Sequence, residues 1–166
     1  MRMLGIIGIA ALASACGGEA PQQKPAETKA AALQPGEYEV AGTVKEVRST
    51  DSSTPATPLK AGASVAAVRA CIAPDGKLDH KLLAENPGDK CREDTSFVRN
   101  GRINVQLNCQ RSGKGGVMQL ANGTFKEDSF EIEVLSNTYF SGEGDYSATR
   151  ALTGRRVGDC PAGTQG

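Results

Sequence analysis

The chain has 166 residues, enough for one domain of ordinary size, and its 19 Lys and Arg residues balance its 19 Asp and Glu residues. A net charge of zero produces no global field that would attract nucleic acid, so the composition argues against a nucleic-acid partner. Three Tyr, four Phe and no Trp predict a lean apolar core, which is the situation in which disulfides stabilise secreted domains.

The first sixteen residues have the layout of a secretion signal. Met1 and Arg2 precede an apolar run at 3–13, which is shorter than the roughly 20 residues that a membrane-spanning helix needs. Three small residues at 13–15, Ala-Ser-Ala, then precede Cys16. This arrangement resembles the lipobox of bacterial lipoproteins, in which the cysteine is lipidated and becomes the new N-terminus.

The lipobox resemblance implies a signal peptide at 1–15 and a lipid anchor on Cys16. Two or more acyl chains hold a protein on a membrane stably, whereas one chain is marginal. Because Gly17 rather than Asp follows the cysteine, the resemblance implies the periplasmic side of the outer membrane. The alternative is an ordinary cleaved signal that leaves a soluble periplasmic protein.

The remainder divides into a tether and a domain. Residues 16–34 are polar, include two prolines and lack apolar periodicity, so we predict a disordered tether. Residues 35–166 form a single β-rich domain in this interpretation. Apolar alternation predicts about seven strands, at 36–47, 64–73, the two arms of a hairpin at 91–109, 117–125, 129–135 and 145–157.

A short helix is expected between the second and third strands. Leu78 and Leu82 are one helical turn apart, and Pro74 and the Asn-Pro-Gly sequence at 86–88 bracket them, which predicts a helix at about 76–85. The remaining segments, including 136–144, are predicted to be loops. The expected fold is mainly β, an antiparallel meander that curls toward a half-barrel.

The hairpin at 91–109 predicts a disulfide. If its loop is the three residues 99–101, opposed positions sum to 200, which places Phe97 opposite Ile103 and Cys91 opposite Cys109. A two-residue loop of Asn100 and Gly101 would shift the register by one and separate the cysteines. The predicted disulfide therefore depends on the three-residue loop in this interpretation.

The other two cysteines are paired by elimination. If Cys91 bonds Cys109, then Cys71 is left to bond Cys160, one of the three pairings that four cysteines allow. No thiol would then remain for metal, nucleophilic or redox chemistry. We accordingly predict no metal site and no cofactor.

Other residues that could carry chemistry have simpler structural explanations. His80, the single histidine, is expected on the exposed face of the helix, away from Leu78 and Leu82. The glycine-rich stretch 112–116 lacks the spacing of a phosphate-binding loop and is expected to be a hairpin turn. Arg155 and Arg156 point to opposite faces of a strand, so the inward one requires a structural partner or contacts an anionic ligand.

Three groups of residues together resemble a known family: Leu33-x-Pro35-Gly36-x-Tyr38, then Cys71 with Cys91-Arg92 and Cys109, and finally Gly154-Arg155-Arg156-x-Gly158-x-Cys160. Over about residues 33–161, the chain is similar to small secreted or lipidated Gram-negative proteins classed as a domain of unknown function. The resemblance implies an envelope location and no established activity or catalytic residue.

The sequence favours a non-catalytic, lipid-anchored envelope protein whose domain serves binding or structure. One alternative is a carrier that holds a small apolar or anionic ligand in the cup of the curled sheet, with small inward residues at Gly42, Ala66, Ala70 and Ala121. A second alternative is an unrecognised hydrolase, which would need a convergent acid and base in a cleft.

Overall fold

A computed structural model describes residues 32–162, so the predicted signal peptide, Cys16 and most of the predicted tether lie outside the described residues. Seven strands form one antiparallel sheet, which confirms the predicted mainly β fold. The strands are β1 (Gly36–Ser49), β2 (Ser64–Ile72), β3 (Lys90–Arg99), β4 (Arg102–Arg111), β5 (Gly115–Phe125), β6 (Ser129–Phe140) and β7 (Tyr146–Gly158). One helix, α1 (His80–Leu83), lies between β2 and β3.

The strand order is β2-β1-β7-β6-β5-β4-β3. From β3 to β7 each strand pairs with the next, as in the predicted meander, whereas β1 pairs with the last strand, β7, and β2 lies outside it. The sheet is not closed, and its edges are β2 and β3. Because the short helix α1 contacts both edge strands, the sheet must curl around it.

The inward face of the sheet carries one apolar core. Alternate residues of β4, β5 and β6 are buried there, as their period of two requires, whereas the edge strands β2 and β3 are less buried. Leu78, Leu82 and Leu83 from the segment around α1 belong to the same core. Leu33 is also buried in it, so the domain begins before the boundary predicted at residue 35.

The helix is shorter than predicted. It spans one turn, His80–Leu83, instead of about 76–85, with Asp79 as the N-cap whose side chain accepts a hydrogen bond from the Lys81 amide at 2.8 Å. His80 is half-buried, so the expectation of an exposed histidine was wrong.

The β3–β4 hairpin has a different turn from the predicted one. Asn100 and Gly101 both have positive φ angles, 54° and 71°, so the loop has two residues. Val98 therefore lies opposite Ile103, and the predicted pairing of Phe97 with Ile103 was wrong. The register then shifts between Glu93 and Thr95, where one extra residue forms a β-bulge.

The bulge restores the alignment that the two-residue turn removes. Beyond it, Glu93 lies opposite Leu107 and Cys91 opposite Cys109, and the two cysteines are disulfide-bonded. The second predicted disulfide, Cys71–Cys160, is also present. Both predicted pairings are thus confirmed, although the three-residue loop assumed for the first was wrong.

Strand β6 extends five residues beyond its predicted end at 135. The segment 136–140 was predicted to be loop because it contains Ser, Asn and Thr, but the burial alternation continues through it, with Ser136 and Thr138 facing inward. The interior at this end of the sheet is polar, so inward positions there carry hydroxyl groups instead of aliphatic side chains.

Candidate functional site

The candidate site lies where the segment between β2 and β3 crosses the inward face of the sheet. Residues 73–89, here called the crossover segment, lead from one edge strand to the other and include α1. Its side chains Leu78, Leu82 and Leu83 are buried in the core. Two of its four acidic side chains, Glu85 and Asp89, reach a polar part of the interior.

Arg111, the last residue of β4, binds both of these buried carboxylates. Its Nε and Nη2 atoms donate to the two carboxylate oxygens of Asp89 at 2.9 and 2.7 Å, and Nη2 also lies 3.2 Å from Glu85 Oε1. The side chains of Asp89 and Glu85 are 0% and 3% exposed, so the ion pairs are buried. This bidentate contact between Arg111 and Asp89 fixes both side chains in position.

Tyr146, the first residue of β7, completes the cluster. Arg111 Nη1 donates to the Tyr146 hydroxyl oxygen at 2.7 Å, and the hydroxyl group donates to Glu85 Oε1. Burial, followed by the negative charge of Glu85, raises the pKa of Tyr146 to about 12. The hydrogen bonds to Asp89 are the main reason why the pKa of Arg111 is raised.

A second buried arginine holds the end of the helix. Arg150 on β7 is 2% exposed, and its Nη2 and Nη1 atoms donate to the Leu83 and Ala84 carbonyl oxygens at 2.6 and 3.3 Å. Burial lowers the pKa of Arg150, and the negative charge of Glu85 opposes that effect. The side-chain amide of Gln119 on β5, in the orientation in which both its nitrogen and its oxygen have partners, donates to Leu83 O at 3.2 Å and accepts from Glu85 N at 3.0 Å.

Three buried polar atoms in this region have no hydrogen-bond partner in the described part of the chain. They are Glu85 Oε2, Arg150 Nε and Ser136 Oγ. Most buried polar groups in proteins are paired, so three unpaired ones in a single region call for an explanation. The cluster of Glu85, Asp89, Arg111, Tyr146 and Arg150 is called the buried charge cluster below.

Arg155 and Arg156, which the sequence left open as a possible anion contact, lie elsewhere. Arg155 is exposed on the outward face. Arg156 is half-buried, and it donates through Nε to Pro35 O at 2.8 Å and pairs with Asp159. The inward arginine of this pair therefore has structural partners.

The residues that carry the family resemblance meet at one end of the sheet. Arg156 bonds to Pro35, Gly36 packs against Gly158, and the Tyr38 hydroxyl donates to Gln34 O at 2.9 Å. A Cβ atom on Gly154 would lie 2.2 Å from the Phe130 ring, so a side chain has no room there. The first and last motifs thus join the beginning and the end of the domain.

Two open clefts on the surface of the described residues have charged side chains in their lining. One, of about 400 Å³, borders the turn at 112–114, which confirms that this glycine-rich stretch is a hairpin turn, and its charged lining residues are Lys90, Arg111 and Lys114. The other, of about 580 Å³, contains Arg155 and Arg156 together with Asp128 and Glu131. Lys126 also lines the second cleft, so three cationic side chains face two carboxylates there, and the carboxylates offset most of the positive charge.

Two structural features are absent from residues 32–162. No three His, Cys, Asp or Glu side chains in residues 32–162 come together in a way that could hold a metal ion. No helix within this range is long and apolar enough to cross a membrane.

Sequence reasoning missed every member of the buried charge cluster. The inward row of β7, Tyr146, Ala148, Arg150, Leu152 and Gly154, does follow a period of two that places Arg150 inside. Glu85 and Asp89 carry no such signal, because they lie on an irregular segment whose position depends on the tertiary fold.

Comparison with known proteins identifies a family for this fold. The family described as "Protein of unknown function (DUF3617)" matches residues 33–160, most of the chain, and the chain belongs to this family. The chain matches no curated protein and no solved structure.

Proposed function

We propose that the chain is a lipid-anchored protein of the periplasmic side of the outer membrane, whose single domain acts in binding or envelope structure without catalysis. The observation that carries the proposed location is the pair of disulfides, Cys71–Cys160 and Cys91–Cys109. Disulfides persist in oxidising compartments such as the periplasm and are rare in the cytosol. The lipobox-like residues before Cys16 supply the anchor in this proposal.

The buried charge cluster supports the non-catalytic part of the proposal. A general acid or base must reach the substrate within hydrogen-bonding distance. Glu85, Asp89 and Arg111 instead bind one another in the interior, and their side chains are at most 9% exposed. An arrangement of mutually paired groups holds a segment in place and offers no accessible acid and base, which argues against the hydrolase alternative.

A permanently open ligand cup is less well supported. It would require small residues around an empty interior, but Ala66, one of the residues expected there, is exposed. Leu78, Leu82 and Leu83 of the crossover segment occupy the inward side of the sheet. A carrier function would therefore require that this segment move.

Labelling with palmitate tests the anchor. The full chain, the variant Cys16→Ser and the control Ala20→Ser are expressed in a Gram-negative host with a palmitate tracer, and membranes are separated from soluble periplasm. We expect label and membrane retention for the wild type and for Ala20→Ser, and loss of both for Cys16→Ser. An unlabelled wild type that is released as readily as Cys16→Ser would refute the anchor.

A further inference from the structure

The crossover segment is attached to the sheet in the way that a bound ligand would be. Its backbone hydrogen bonds in the described structure join its own residues, for example Leu82 N to Asp79 O at 3.0 Å and Ala84 N to His80 O at 2.8 Å. The sheet holds it through side chains instead, mainly those of Arg111, Arg150 and Tyr146. The segment can therefore move away without breaking any strand pairing.

The groups that this segment presents to the sheet are those of an amphipathic carboxylate. The Glu85 carboxylate lies against Arg111 and Tyr146, and the Leu82 and Leu83 side chains, close by in sequence, are buried in the apolar core. A ligand with a carboxylate at the end of an aliphatic chain would present the same two groups, an anionic head and an apolar chain next to it.

The polar interior retains capacity that the crossover segment does not use. Arg150 Nε and Ser136 Oγ can both donate hydrogen bonds, both are buried, and neither has a partner in the described region. Arg150 and Ser136 are 2% and 0% exposed. Glu85 is among the charges that act on Arg150, and Ser136 lies opposite Gln119, which contacts Glu85. Glu85 Oε2 is itself unpaired, so Glu85 leaves these two donors unused, and a carboxylate placed differently could accept from them.

The two ends of the crossover segment are suited to act as hinges. Gly76 has a φ of +74° with no atom near the position of a Cβ, and Gly88 approaches only the Asn86 side chain. Glycine allows a wide range of backbone conformations at both positions. The disulfides at Cys71 and Cys91 fix the chain just outside these hinges, so the segment could swing out while its ends stay in place.

We propose that the crossover segment occupies a binding site for an amphipathic monocarboxylate, an aliphatic chain ending in a carboxylate. The ligand carboxylate binds Arg111 and Tyr146 in place of Glu85, and its chain takes the space of Leu82 and Leu83. This inference rests on the proposed binding role and gives it a ligand class.

The exchange favours a carboxylate over other head groups for an electrostatic reason. Withdrawing Glu85 alone would leave the buried Arg111 with one anionic partner fewer, which is strongly unfavourable. A ligand carboxylate replaces the lost charge, whereas an alcohol or an ammonium group does not. The apparent affinity is set by the fraction of molecules in which the segment is open, so weakening the closed form should tighten binding.

Decanoate binding tests the proposal. The full chain carrying Cys16→Ser, purified with its disulfides intact, is titrated with ¹³C-carboxyl decanoate below micelle-forming concentrations, with decan-1-ol and decyltrimethylammonium as comparison ligands. Calorimetry and the carboxyl resonance measure binding, and amide hydrogen exchange measures opening of residues 73–89. We expect saturable binding of decanoate alone and faster exchange in the crossover segment when it is bound.

Two variants make the test independent of the wild-type affinity. Leu83→Ala weakens the closed form and should raise the affinity for decanoate by about tenfold. Leu120→Ala, a half-buried position on the outward side of β5, should leave the affinity unchanged.

The proposal is overturned if neither the wild type nor Leu83→Ala binds decanoate saturably, if decan-1-ol binds equally well, or if binding leaves amide exchange in residues 73–89 unaltered. None of these results depends on palmitate labelling of Cys16, so the two proposals can fail separately.

Discussion

Arg150 is one of the residues that hold the helix in position. Its guanidinium group lies in the interior, where an isolated charge would be unfavourable, yet it satisfies two carbonyl oxygens at the end of α1 that have no partner within the helix. The charges of Arg111 and Arg150 together balance those of Glu85 and Asp89. Removing Arg150 should therefore leave the Ala84 carbonyl oxygen without its partner, the Leu83 carbonyl oxygen with Gln119 alone, and an excess of buried negative charge.

We expect Arg150→Met to lower the free energy of unfolding by about 3 kcal/mol, since it removes one partner from a buried charged network while approximately keeping its volume. Urea unfolding followed by circular dichroism measures the change. Arg155→Met, at an exposed position of the same strand, is the control and should change stability by no more than about 0.5 kcal/mol. Equal stability of the two variants would show that Arg150 is not required to hold the crossover segment.

Tyr146 should make stability sensitive to alkaline pH. Its pKa is raised from 10.0 to about 12 in the folded protein, so its contribution is complete below about pH 10 and is lost as the pH rises through 12. Between pH 9 and pH 11 this group should lower the free energy of unfolding by about 1 kcal/mol.

Replacing Tyr146 by Phe should remove that part of the pH dependence, as measured by urea unfolding at several pH values between 9 and 11. Tyr139→Phe, at a position that is 62% exposed, should retain it. The same slope in wild type and Tyr146→Phe would mean that the hydroxyl group does not titrate as described.

For individual side chains, the sequence contained part of the information needed to find the site. Alternation along β7 is sufficient to place Arg150 inside, and alternation along 155–156 correctly predicts that the two arginines face opposite ways. The partners of these residues were not predictable. Glu85 and Asp89 reach Arg111 only because the crossover segment spans the whole sheet, and local sequence does not encode that path.

Among the elements, the β3–β4 hairpin shows how two local features combine. The turn of Asn100 and Gly101 alone would put Cys91 and Cys109 on opposite faces, and the bulge at Asp94 returns them to the same face. Asn-Gly is a strong sequence signal for a two-residue turn. A bulge has no comparable signal, and for that reason the sequence predicted the correct disulfide from the wrong loop.

Deleting Asp94 should abolish the Cys91–Cys109 disulfide. A regular ladder from the two-residue turn would then place Cys91 on the face opposite Cys109, because a shift of one residue reverses every side chain. Thiol titration of unfolded, unreduced protein should find none of the four domain cysteines free in the wild type and in the control Asp94→Ser. The deletion variant should show two free thiols, and a fully oxidised native pairing in it would contradict the role of the bulge.

Strand β6 illustrates a general limit of reading strands from apolar alternation. The pattern of Phe130, Ile132 and Val134 stops at the point where the interior becomes polar, although the strand continues to Phe140. The inward Ser136 and Thr138 accompany the buried charge cluster. The polar residues that follow the apolar part of β6 were thus themselves a sign that the interior is polar at that end of the sheet.

For the molecule as a whole, the decisive contact is the pairing of the first strand with the last. Sequence analysis predicted a meander, but pairing of β1 with β7 is a long-range contact that no local pattern specifies. The Cys71–Cys160 disulfide was the one sequence-derived indication that the two ends of the domain meet. Because Cys71 lies opposite Glu37 and Glu37 opposite Gly158, this disulfide links β2 to the end of β7 past the start of β1.

The two disulfides should therefore contribute unequally to stability. Cys71–Cys160 joins residues separated by 89 positions and Cys91–Cys109 joins residues separated by 18, so the first restricts the unfolded chain more. The chain-entropy relation gives about 4–5 kcal/mol for the longer loop and about 3 kcal/mol for the shorter. In urea unfolding, the double variant Cys71→Ala/Cys160→Ala should lose about 1 kcal/mol more stability than the double variant Cys91→Ala/Cys109→Ala.

Loss of the Cys71–Cys160 disulfide should also release the edge strand β2 first, because β2 pairs with β1 alone. Faster amide exchange at 64–72 would show this release. A larger loss of stability from the hairpin pair would indicate that the Cys91–Cys109 disulfide, which anchors the end of the crossover segment, governs the stability of the whole sheet.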